Sequence, residues 1–197
     1  MQQAVLAWPA GINASFTRIA LRMVEYGANL GLPYTRAMGE GLFEIRAKGQ
    51  EGIGRAFFCT LVGQRIVILH SFIKKSDKTP KRELDIAKQR MKEHNMAKAH
   101  KIIPFNPAAH LAKSLKNAAF KAAYNALEDE FSALDALLQA RKNAGLTQAE
   151  VAERMGIAQS SLARIESSLG SRKHSPSLAT LRRYAEACGK KLTIQIG

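Results

Sequence analysis

Apolar positions recur at helical spacing along most of the chain and switch to alternation in one stretch near the middle of its first half. Residues 2–7 predict a short helix that stops at Trp8-Pro9. Ile12, Phe16, Ile19, Ala20, Met23 and Val24 then follow helical spacing up to Tyr26. A glycine-rich loop is predicted over residues 27–41. Three strand-like runs come next. Phe43 and Ile45 alternate with Glu44 and Arg46, residues 53–62 are rich in aromatic and β-branched side chains, and residues 65–73 follow through Gly63-Gln64. Runs so closely spaced predict an antiparallel meander. Thr79-Pro80 reads as a helix start, with threonine as N-cap and proline in the first position. Leu84, Ala87 and Met91 mark the apolar stripe of that helix.

The periodicity lapses over residues 95–106, where Pro104 punctuates the chain, and this stretch is expected to be a linker. Asn106-Pro107 opens a helical region that runs to Asn143, with breaks expected near Asn117 and Glu128, and Gly145 closes it. Thr147 and Glu150 then stand at capping-box spacing, which starts a helix at Gln148. Val151, Ala152 and Met155 give it one apolar face, Gly156 breaks it, and Ile157 plugs the gap. In the next helix Leu162 and Ile165 face inward, while Gln159, Ser160, Ala163 and Arg164 are expected to face outward. Two short helices, a glycine turn and an outward polar face make a helix-turn-helix. A polar loop over residues 170–176 carries Arg172, Lys173 and His174. Ser177 caps a last helix over Leu178, Leu181, Ala185 and Cys188, which Gly189 closes. Leu192, Ile194 and Ile196 alternate as a short final strand. The expected fold class is therefore an α+β N-terminal domain, helices on an antiparallel sheet, followed by an all-α helix-turn-helix domain with a short C-terminal strand.

Charge adds a partner to this picture. The formal net charge is +14, split evenly between the two halves, and the pI near 10.1 points to a polyanion. DNA binding by the second half leaves the basicity of the first unexplained. Cys59 and Cys188 sit in apolar patterns far apart and read as reduced core thiols, as expected in a cytoplasm. No apolar run approaches transmembrane length and no signal peptide is recognisable, so no membrane partner is expected. The histidines show no metal-ligand spacing, and neither a metal nor another cofactor is expected.

The stretch GLFEIRAKGQEGIGRAFFCTLVGQRIVILHSFIKKSDKTPKRELDIAKQR, residues 41–90, resembles the HigB/RelE-like toxins of bacterial toxin–antitoxin systems, in particular the phage-derived branch ending in F-x-K-K-x-x-K-T-P. The resemblance covers about residues 1–94; upstream, WPAGI and EYGANLGLPYTRAMGEGLFEIR match more loosely. It implies two helices on an antiparallel sheet with a C-terminal helix, and cleavage of mRNA, commonly on the ribosome. It also implies a functional basic group of Arg46, Arg55 and the cluster Lys74, Lys75 and Lys78. Metal-independent RNA cleavage needs a deprotonated 2′-hydroxyl, a stabilised phosphate and a protonated leaving oxygen, and cations serve the second need directly. His70 has the chemistry of an acid or base, with a structural role as the alternative. Phe72 is either a stacking platform for a base or core, and Arg55 is either functional or paired with Glu44 or Glu51. Family toxins usually open with a strand before the first helix. This chain opens at MQQAVLAW, so that strand is expected to be either absent or lost with a misplaced start, and without it a sheet edge stays unpaired.

Residues 96–197 resemble the HigA-like antitoxins of the Xre/Cro class, through KSLKNAAFKAAYNALEDEF, the helix-turn-helix and PSLATLRRYAEACGKKL. The resemblance implies an antitoxin that covers its toxin and represses its own operon. Gln148 is then expected on the DNA backbone, Gln159, Ser160 and Arg164 in the major groove, and Ser161 on a phosphate. Ala158 replaces the usual serine cap. The expected organisation is a toxin domain over 1–94, a linker over 95–106, an antitoxin arm over 107–132 and a helix-turn-helix domain over 133–197. The expected partners are operator DNA, mRNA with the ribosome, a second copy of the chain, and an intramolecular toxin–antitoxin contact. For that contact, the acidic residues Glu128, Asp129, Glu130 and Asp135 are expected to face the basic group, or else to serve only the dipole of their own helix.

Overall fold

The computed structural model describes residues 2–60, 65–74, 80–96, 104–169 and 175–194. Its elements are α1 (Gln2–Leu6), α2 (Ala10–Tyr26), β1 (Thr35–Gly39), β2 (Leu42–Gly49), β3 (Gly52–Thr60), β4 (Ile66–Lys74), α3 (Lys81–Met96), α4 (Pro107–Ser114), α5 (Ala118–Asn125), α6 (Glu128–Asn143), α7 (Gln148–Arg154), α8 (Gln159–Leu169) and α9 (Leu178–Ala187). The expected fold class holds: helices on an antiparallel sheet, then a helical domain. The chain forms two compact units, one of residues 1–30 and 34–126, the other of residues 31–33 and 127–197.

In the first unit the sheet is a simple meander in the order β1-β2-β3-β4. Its first strand lies inside the stretch expected to be a loop. β1 is short and pairs only with β2, and its outward residues, among them Arg36, break the apolar alternation that marks a buried strand. The two sheet faces take different layers. Gly54 sits under α2 so closely that a Cβ there would meet Ile12 Cγ2 and the Trp8 ring at 2.6 Å. Ile45, Ala56 and Phe58 share that face by register and alternation. The opposite face buries Leu42, Phe57, Cys59, Val67 and Leu69 against Leu84, Ala87 and Met91 of α3. The expected stripe of that helix is therefore the packed one; its expected N-cap, Thr79, lies outside the described residues.

The helices α4 and α5 belong to this first unit and pack on α2. Asn106 caps α4 by accepting from Ala109 N at 3.0 Å, and Asn117 caps α5 by accepting from Phe120 N at 3.1 Å. The backbone N–H of Phe105 donates to Ile66 O at 2.8 Å, and its ring packs edge-on against Phe16, centroids 5.4 Å apart. Arg18 lies over the Tyr124 ring, 3.7 Å from its centroid, and donates to the Tyr124 carbonyl at 2.8 Å. His110 bonds Asn13 Oδ1 through Nε2 at 2.7 Å. Nε2 is therefore the protonated nitrogen, since an amide oxygen only accepts.

Burial, helped by the charge of Lys113, lowers the His110 pKa from 6.5 to about 4. The unfolded chain binds this proton near pH 6.5 and the folded chain near 4. The stabilising contribution is thus complete above 6.5 and is lost as pH falls towards 4. Denaturant titrations of wild type and H110Q should converge over that window. A gap that stays constant with pH would count against the buried neutral imidazole.

The second unit packs α6 to α9 around Leu137, Val151, Ala152, Met155, Leu162, Tyr184 and Cys188. The capping box of α7 is complete: Glu150 N donates to Thr147 Oγ1 at 3.2 Å and Thr147 N donates to Glu150 Oε2 at 2.6 Å. Gly156, with φ +64°, supplies the left-handed turn before α8. Two expectations need correction here. Ala163 is buried, 7% exposed, because it lies three residues before the buried Glu166 on the same helix face. Residues 192–194 form no strand, and 195–197 lie outside the described residues. Among the described residues every strand belongs to the first unit, so residues 192–194 have no described strand of their own unit to pair with.

Candidate nucleic-acid interfaces

The residues expected in the major groove lie on the N-terminal half of α8. Gln159, Ser160 and Arg164 are exposed there, and Ser161 is half-buried. Gln148 behaves differently from its expected place on the DNA backbone. It is 6% exposed, and its side-chain amide is spent inside the unit. Nε2 donates to Glu166 Oε2 at 2.6 Å and to the Leu32 carbonyl at 3.0 Å, while Oε1 accepts from Gln159 Nε2 at 3.2 Å. Glu166, almost fully buried, also accepts from the Tyr184 hydroxyl at 3.2 Å. Burial raises the pKa of both Glu166 and Tyr184. The network therefore runs from the core to Gln159 and limits the freedom of its side chain. Sequence reasoning missed Glu166 and Tyr184. The signal was there in Glu166, which stands four residues after Leu162 on the inward side of α8. Arg154 and Arg183 are spent structurally: Arg154 donates to the Ala187 carbonyl at 3.1 Å and Arg183 to the Met155 carbonyl at 2.5 Å, which ties α7 to α9.

The second basic surface is the sheet face of the first unit turned away from α2. Register places Arg46 opposite Arg55, Arg55 opposite Phe72, and Arg36 opposite Glu44. Arg55 is 4% exposed and its Nη1 donates to Glu44 Oε2 at 3.4 Å. Of the two acidic partners expected for it, Glu44 is the one it pairs with; the Glu51 carboxylate instead accepts from Gly11 N at 2.8 Å. Burial lowers the Arg55 pKa, opposed by Glu44 and reinforced by the charges of Arg46 and Arg36. Arg46 Nε lies 3.9 Å from the same Glu44 oxygen, while 35% of its side chain stays exposed. Lys74 ends β4 on this face, half-buried. Lys75 and Lys78 lie outside the described residues.

His70 is held at both ring nitrogens. Its Nε2 forms a short contact with Glu83 Oε2 of α3, and its Nδ1 faces Arg90 Nη1 at 3.1 Å. A guanidinium only donates, so Nδ1 is the accepting nitrogen and Nε2–H points at the carboxylate. Arg90 also donates to the Leu69 carbonyl at 3.0 Å. These bonds pin α3 to β4. Phe72 stacks on the His70 ring, centroids 6.0 Å apart, and is half-buried against the α3 layer. The structure thus brings Arg46, Arg55, Phe72 and Lys74 to one face, with Arg55 beneath its surface and His70 committed to α3.

Residues 3–92 match the family described as phage derived protein Gp49-like (DUF891), and residues 137–195 match the helix-turn-helix family. No curated protein and no solved structure matches the chain. The first half therefore carries a Gp49-like domain of the RelE/HigB toxin type, and the second carries an Xre-type DNA-binding domain. That pairing is the make-up of a toxin–antitoxin-like transcriptional regulator. Among the described residues no helix is long and apolar enough to cross a membrane.

Proposed function

We propose that the chain is a fused toxin–antitoxin module of the HigB/HigA kind. It is a cytoplasmic autorepressor that binds its operator through α8 and carries a restrained mRNA-cleaving unit. The observation that carries this is the pairing, in one chain, of an exposed Gln159–Ser160–Arg164 edge with a separate arginine-rich sheet face. Operator binding as a dimer follows from the reach of one recognition helix, which reads only a few base pairs. In the first unit α4 and α5 lie on α2, on the far side of the sheet from Arg46 and Arg55. Restraint by this arm therefore acts by fixing α2 and by blocking that side of the unit to a large partner. It does not act by occupying the basic face.

The test is made in cells. The full chain should leave growth and mRNA intact, residues 1–94 alone should arrest growth and cleave mRNA, and residues 96–197 supplied separately should relieve the arrest. Cleavage by the full chain as fast as by residues 1–94 would refute restraint. A second reading, a regulator whose first unit is only an assembly domain, draws support from the burial of Arg55 and from the engagement of both His70 nitrogens. It predicts no cleavage from any of these forms.

At the operator, Gln159→Ala and Arg164→Ala should each weaken specific binding by about 1–3 kcal/mol at fixed salt. Affinity for unrelated duplex should change far less, and equal losses on both DNAs would place these side chains on phosphates only.

A further inference from the structure

We propose that Arg36 and Arg46 form a two-guanidinium clamp for one phosphodiester of single-stranded RNA, aimed by Glu44, whose carboxylate is anchored on buried Arg55. The clamp rests on the RNA-engaging function proposed above for the first unit. Its geometry comes from the β1–β2 ladder. Arg36 lies directly across from Glu44, and Arg46 N donates to the Tyr34 carbonyl, which makes Arg36 and Arg46 diagonal neighbours on one face. Such positions stand about 7–8 Å apart at Cα, so two long side chains converge easily on one phosphate group. Arg36 is exposed. Arg46 keeps 35% of its side chain exposed while its Nε sits 3.9 Å from Glu44 Oε2.

Arg55 has a different job. At 4% side-chain exposure it cannot meet a strand lying on the sheet surface, yet its Nη1 holds the same Glu44 oxygen at 3.4 Å. One carboxylate oxygen is thus held from beneath and sets its charge 3.9 Å from the Arg46 Nε above. Planar guanidinium forks match phosphate oxygens in pairs, which lysine does not do. Phe72, registered opposite Arg55, is half-buried on the same face and packs against His70 and the α3 layer. Arg36 and Arg46 are contact residues in this account, and Glu44 and Arg55 are positioning residues.

The test uses the full chain, a short fluorescent single-stranded RNA, and excess unrelated duplex DNA to occupy α8, with anisotropy read over a salt series. Arg36→Ala should weaken RNA binding about fivefold and reduce the slope of log K against log salt by about 0.7, the loss of one phosphate contact. Lys81→Ala, on the exposed side of α3, should leave both unchanged. Glu44→Gln is the decisive variant because it adds one positive charge to the face. A simple charged patch would bind RNA more tightly. The clamp predicts weaker binding, with recovery in Glu44→Asp, and melting curves confirm that each variant is folded. Wild-type binding that R36A leaves intact and E44Q strengthens would overturn the clamp while leaving RNA engagement standing. Wild type that binds no RNA under these conditions would overturn both.

Discussion

Truncating Phe16 to alanine is expected to lower the stability of the first unit by about 3–5 kcal/mol, the range for a fully buried phenylalanine. Phe16 is 0% exposed at the centre of α2. Trp8, Phe105 and His110 all meet its ring edge-on, with centroids 5.6, 5.4 and 5.9 Å away. The side chain therefore joins the α1–α2 layer to the segment that leads into α4. Its removal opens a cavity that rigid neighbours cannot fill, and it also loosens the arm. Urea titration followed by Trp8 fluorescence should show the loss directly, since Trp8 is the chain's tryptophan. Limited proteolysis should then cut between α3 and α4 sooner than in wild type. A loss below about 1 kcal/mol would mean that the arm and α2 repack around the gap.

Glu166→Ala is the second large effect, expected at about 2–4 kcal/mol for the second unit. The carboxylate accepts from Gln148 Nε2 at 2.6 Å and from the Tyr184 hydroxyl at 3.2 Å. Alanine leaves both donors buried without this acceptor, and an unmet buried donor costs more than the bond itself contributes. Operator binding should fall as well, because Gln148 then holds Gln159 less firmly. Glu166→Gln should lose less. Its loss should also depend on pH in a definite direction. Burial raises the Glu166 pKa above 4.5, so the wild-type contribution is complete below 4.5 and declines as pH rises through the folded value. The gap between wild type and Glu166→Gln should therefore narrow as pH rises. A gap that widens would show that the ionised carboxylate is the better-held form.

These two sites also mark where the sequence is legible and where it is not. The helix-turn-helix can be read locally, because a capping box at Thr147 and Glu150 and a left-handed glycine at 156 are decided within a few residues. The break at Asn117 is read for the same reason, since Asn117 caps its own helix, whereas the helix that starts at Glu128 has no side-chain cap. β1 is not legible in the sequence because an edge strand with an exposed Arg36 lacks the apolar alternation of an interior one. Residues 192–194 illustrate the converse: alternation is present there, but no described strand of their unit pairs with them. Burial of Arg55 and Gln148 depends on residues distant in sequence, Glu44 for one and Glu166 and Leu32 for the other. Charge and spacing alone place such residues on a surface; only the long-range register turns them inward. The pinning of His70 by Glu83 and Arg90 belongs to the same class, because it depends on where α3 lies against β4.

The most direct test of the account is a footprint of the full chain on the DNA upstream of its own coding sequence, at fixed salt. The account predicts a protected palindrome with half-sites one helical turn apart, about 34 Å between centres. Protection should be lost on scrambling either half-site and should survive excess unrelated duplex. Protection that spreads evenly over any DNA and disappears with competitor would show a basic protein without an operator, and would contradict autorepression through α8.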